Sequence, residues 1–144
     1  MAFNGNFLCT SFKVEILKGV HNFTAASNQF KLALYDNSAT FTAATTAYTS
    51  TNEISGTNYT AKGNFLTSVT PVASSTTALT DFADEVFSTV TISAVRGALI
   101  FNEVASGDPT VCVLDFGADK AASSGDFTIV FPTADASNAI IRIA

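Results

Sequence analysis

Tryptophan is absent from this chain, histidine and methionine occur once each, and cysteine twice. A lone His21 cannot build a histidine-rich zinc site. Cys9 and Cys112, about a hundred residues apart, have the spacing of neither a metal knuckle nor a disulfide framework. Both stand among apolar or hydroxyl neighbours, as buried free thiols do. Charge is scarce as well, at 13% of residues against about a quarter in ordinary soluble domains. Its balance is acidic, with 12 Asp and Glu against 7 Lys and Arg and a net charge of −5. That balance argues against a nucleic-acid partner, which requires a basic face. Long apolar runs are missing too. Ala98-Leu99-Ile100-Phe101 falls far short of the ~20 residues that cross a bilayer, and residues 1–10 lack the cationic start and apolar run of a signal peptide. Synthesis in a cytoplasm, with no membrane partner, is the expectation. Nucleophile elbow, phosphate loop and dinucleotide fingerprint are all absent. No catalytic residue, metal ligand or cofactor is therefore expected.

What is present is 47% hydrophobic residues, thirteen of them Phe, in a background of Ser, Thr and Asn. A chain of 144 residues is long enough to bury a full core without staples. Residues 1–8 read as an extended arm, because Asn4-Gly5-Asn6 breaks regular structure while Phe3, Phe7 and Leu8 offer apolar contacts. From Thr10 to Lys18 the period becomes helical. Phe12, Ile16 and Val20 recur at four-residue spacing, Thr10 or Ser11 can cap the start, and Gly19 stands where a C′ glycine belongs.

Beyond His21 the pattern turns to β, with residues 30–35 alternating as a strand up to the turn at Asp36-Asn37-Ser38. Residues 39–62 show no clear element. A stretch that long implies an excursion with a partner to meet, and its single aromatics Phe41, Tyr48 and Tyr59 are the expected contacts. Strands are expected at 64–69, 76–80, 85–92, 95–102, 111–116, 126–131 and 139–143, with a hairpin turn at Ser106-Gly107-Asp108-Pro109 and a small-residue loop at 118–125. The fold class that follows is all-β, an antiparallel jelly-roll-like β-sandwich over residues 9–144 with one short N-terminal helix. Ala98–Phe101 and 111–114 are apolar on both faces of their strands, so each needs a second cover: the helix, or failing that another subunit.

The titratable groups add little. His21, just past the helix, suits a C-terminal cap or a surface position. Arg96 at a strand start suits an acidic neighbour. Asp81, Asp84 and Glu85 offer oxygen ligands of the kind calcium takes, without EF-hand spacing. A glycosidase would need two carboxylates, here Asp81 or Asp115, beside sugar-stacking aromatics, and the lack of Trp weakens that alternative.

The chain resembles small virion structural proteins of tailed bacteriophages. The resemblance is carried by Leu8-Cys9-Thr10-Ser11-Phe12-Lys13, Gly19-Val20-His21, Lys31-Leu32-Ala33-Leu34-Tyr35 and Thr80-Asp81-Phe82-Ala83. It continues through Arg96-Gly97-Ala98-Leu99-Ile100, Val113-Leu114-Asp115-Phe116-Gly117, Ser124-Gly125-Asp126-Phe127-Thr128-Ile129 and Phe131-Pro132-Thr133-Ala134-Asp135-Ala136. It implies a non-enzymatic particle component, above all a capsid cement or decoration protein on the virion surface, with the major capsid protein and copies of itself as partners. A tail- or fibre-associated module that contacts the host surface is the alternative within the particle. Phe3, Phe7 and Leu8 of the arm are then expected to be ordered by a neighbouring subunit.

Overall fold

The computed structural model describes residues 3–24 and 29–144. Met1 and Ala2, the start of the expected arm, lie outside the described residues. The chain is mostly β, 46% strand and 6% helix, in two antiparallel sheets with one short helix, a sandwich-like all-β fold. In chain order the elements are β1 (Phe7–Leu8), α1 (Thr10–Leu17), β2 (Phe30–Tyr35), β3 (Asn64–Phe65), β4 (Val72–Ser74), β5 (Thr77–Thr80), β6 (Glu85–Asn102), β7 (Thr110–Ile129) and β8 (Ile141–Ile143). One sheet has the order β1-β7-β6-β2-β3 and the other β4-β5-β8. A single cluster of buried side chains draws on both sheets.

The β6–β7 hairpin dominates. Its 18- and 20-residue strands replace four shorter ones expected from the sequence, and residues 118–125 are strand rather than loop. The pairing shifts register at several points, among them between Phe87 and Val90 and between Ile92 and Val95. Thr89, Ala94 and Ser124 carry positive φ at these irregularities. Each bulge moves the inward-facing residues to the other parity, so no single alternation runs the length of either strand.

Helix α1 forms where expected, but its N-cap is Cys9, which makes no side-chain capping bond, and the buried Ser11 hydroxyl finds no partner. The backbone N–H of Thr10 donates instead to the Ala43 carbonyl at 2.8 Å. Gly19, at φ +73°, turns the chain back under the helix. That reversal buries His21 against Phe12, with ring centroids 5.1 Å apart, where a surface or capping role was expected.

The N-terminal residues do not reach outward. Phe3 is fully buried in this chain's own core, edge-on to Phe41 at 5.8 Å, in space that Gly97 leaves open. Asn6 Oδ1 accepts from the Asp115 N–H at 2.6 Å, and Asp115 Oδ2 accepts from the Gly5 N–H at 3.1 Å. Phe7 and Leu8 then pair with Val113 and Cys112.

Residues 39–62 also turn inward. Ile54 N–H donates to the Leu34 carbonyl, Tyr48 N–H to Asp108 and Thr110 N–H to Thr46, so the segment is stitched onto its own sheet. Its ring at Tyr48 lies 4.9 Å from Phe101, and Phe41 packs edge-on against Tyr35 at 4.7 Å. The doubly apolar runs 98–101 and 111–113 are thereby buried within one chain.

Candidate interaction surface

Of the six side chains expected to contact a partner, Phe3 and Phe41 are corrected to core positions. Tyr48 and Tyr59 are half-buried, and their hydroxyls donate to the Glu53 carboxylate at 2.6 and 2.9 Å. The Lys62 N–H adds a third donor to Glu53 at 2.6 Å, while Lys62 Nζ reaches Asp108 at 2.8 Å and Glu103 at 3.2 Å. These four residues form a latch over β6, not an open contact. Burial, followed by the nearby carboxylates, pushes the Tyr48 hydroxyl well above its ordinary value, and burial does the same to Tyr35 and Tyr59.

The carboxylates singled out by type are engaged by backbone or side-chain donors of the fold. Asp81 is buried and accepts from the N–H groups of Phe82 at 2.8 Å and Ile140 at 3.1 Å, and burial raises its pKa. Asp84 accepts from Phe131 N–H, and Glu85 from the Asn64 amide. Asp115 accepts from Gly117 N–H at 2.8 Å and from Arg96 Nε at 3.2 Å; the Gly117 bond, then those from Gly5 and Arg96, hold its pKa below the usual range. Asp81, Asp84 and Glu85 thus serve separate backbone or side-chain partners and converge on no common point. No group of three or more metal-ligating side chains occurs among the described residues, and no described helix is long and apolar enough to cross a membrane.

His21 is held from both sides. Asn102 Oδ1 accepts from Val104 and Ala105 N–H at 3.1 Å each, which fixes its amide so that Nδ2 donates to His21 Nδ1 at 3.2 Å. The other ring nitrogen, Nε2, then carries the proton and donates to Glu15 at 2.8 Å. This ring is a structural strut between α1 and the end of β6. Cys9 and Cys112 are buried free thiols, with burial raising the pKa of each.

The open surface lies elsewhere, where the two sheets part. A trough runs between the β1 edge of the five-stranded sheet and the β8 edge of the three-stranded sheet. Its central section, about 460 Å³, lies between Phe7, Leu8 and Leu114 on one side and Ile140, Arg142 and Ala144 on the other. A section of about 380 Å³ continues it between α1 and β8, floored by Phe12, Ile16 and Ile141. Opposite, a section of about 330 Å³ extends it past Phe116 and Phe131. Leu17 at 89% exposure and Ile143 at 56% stand on the α1–β8 section. Phe7 and Leu8 are the two sequence-expected residues that border this trough. The α1–β8 side was not anticipated, although Ile140-Ile141-Arg142-Ile143 is apolar on both faces of a strand end and Leu17 falls off the Phe12–Ile16 stripe.

Comparison with protein-family models, with curated proteins and with solved structures returned no match.

Proposed function

We propose that this chain is a non-enzymatic structural protein of a tailed-bacteriophage particle, a cement protein that binds across the subunits of the capsid shell. The observation that carries the reading is the trough: two sheet edges without a neighbour among the described residues, beside exposed Leu17 and Ile143. Edge strands present unpaired N–H and C=O groups, and a large exposed side chain such as Leu17 gains by being covered. The sequence resemblance to phage virion proteins supplies the setting. Low charge with abundant hydroxyls suits a wet, hydrogen-bonded contact repeated many times over a lattice, where each copy contributes modestly. Bound across a seam, such a protein adds area that outward pressure on the shell must pull apart.

Electron microscopy of particles produced with and without this chain tests the reading. Density on the shell at a copy number on the order of hundreds, lost together with the chain, is the expected result. A handful of copies confined to the tail would move the protein to the tail or fibre, and absence from the particle would end the proposal.

A further inference from the structure

We infer that the trough seats an extended segment of another polypeptide whose side chains alternate between acidic and apolar, laid along the free edge of β8. This deepens the adhesion reading and rests on it only in taking the partner to be a protein.

Charge supplies the first argument. The chain carries a net −5, yet among the described residues Lys13 and Arg142 are the only charged side chains lining the central and α1–β8 sections. Most carboxylates near the trough are already committed, Glu15 to His21 and Asp115 to Arg96, Gly5 and Gly117. Lys13 is exposed and has no ion pair among the described residues. Arg142 Nη1 donates to the Ala136 and Ser137 carbonyls, which anchor its guanidinium at the trough; Asp135 acts on it electrostatically, but among the described residues no carboxylate lies within ion-pair distance of it. Two cations bordering an apolar floor on an otherwise acidic molecule are complementary to carboxylates on an incoming apolar strand.

Backbone supplies the second. Among the described residues β8 is paired on one side only, through Ala78, Leu79 and Thr80 of β5, and β1 likewise pairs only with β7. A strand added to β8 would satisfy its outer N–H and C=O groups. Alternate side chains would then point to the cleft between Leu17 and Ile143, which Lys13 borders, and to the opposite face at Arg142. A basic or polyanionic ligand without apolar side chains meets only half of these features.

The test uses the intact protein and a fluorescein-labelled synthetic peptide of about eight residues alternating aspartate with valine, with the lysine–valine peptide as control. Anisotropy should show binding of the acidic peptide, weakened at least tenfold by Leu17→Asp and by Lys13→Glu, with the basic peptide at least tenfold weaker. Leu17 is 89% exposed and Lys13 is exposed and unpaired, so neither substitution removes a folding contact of consequence. Hydrogen exchange should slow at the β8 amides that face away from β5 when the acidic peptide binds. Equal binding of both peptides, no binding, or indifference to both substitutions overturns the inference. So does self-association abolished by Leu17→Asp in a protein that ignores the peptide, which would make a second copy the occupant. Particles that keep full occupancy with the Leu17→Asp protein would sink the trough as the contact while leaving the cement reading intact.

Discussion

Gly97 and Phe3 sit 94 positions apart in the sequence and depend on each other in the fold. A Cβ at position 97 would run into the Leu114 carbonyl oxygen and the edge of the Phe3 ring. Gly97→Ala is expected to cost about 2–3 kcal/mol by overpacking, read as a lower midpoint in urea, with the N-terminal residues becoming open to proteolysis. Asp115 fastens the same stretch. Its carboxyl is held below the ordinary aspartate value, so its stabilising contribution is present above about pH 4 and is lost as the pH falls through its folded value. Asp115→Asn should therefore lower stability by about 1–2 kcal/mol at pH 7, and thermal melts of the two proteins should converge as the pH falls through the folded value of Asp115.

Among the elements, residues 39–62 separate what composition suggests from what packing does. Threonine, serine and asparagine make local turns there, with Thr42 Oγ1 accepting from Ala44 N–H and Thr49 Oγ1 from Thr51 N–H, and no period marks such turns in a sequence. The segment stays in place through Glu53, on which three donors converge. Glu53→Ala is expected to cost about 2–3 kcal/mol, and hydrogen exchange should rise across residues 48–62 while the β6–β7 hairpin keeps its protection. By contrast, β2 and α1 were legible almost to the residue, since each is short, regular and uninterrupted by a bulge.

At the scale of the molecule, all three tyrosines are tied into the fold and none is balanced by a tryptophan signal. Their folded-state pKa values lie above the unfolded value of about 10. A group raised in this way stabilises the fold fully below its unfolded pKa, and that contribution is lost as the pH rises from there through the folded value. Absorbance at the tyrosinate band should therefore stay flat to about pH 11 and then rise together with the loss of β-sheet circular dichroism, in one transition. A separate tyrosinate step before unfolding would show that at least one hydroxyl is solvent-ionised in the native state.

Composition and local pattern determined the class of this protein: β-rich, short of charge, with one early helix and free buried thiols, because these follow from residue type and from periods of two and four. Tertiary structure alone decided which aromatics face inward. Phe3 and Phe41 look like any exposed-loop phenylalanine until Gly97 and Tyr35 are brought beside them, since burial depends on partners distant in the chain. The trough had to wait for the fold for the same reason: it exists only where β1 and β8, more than a hundred residues apart, end their sheets side by side.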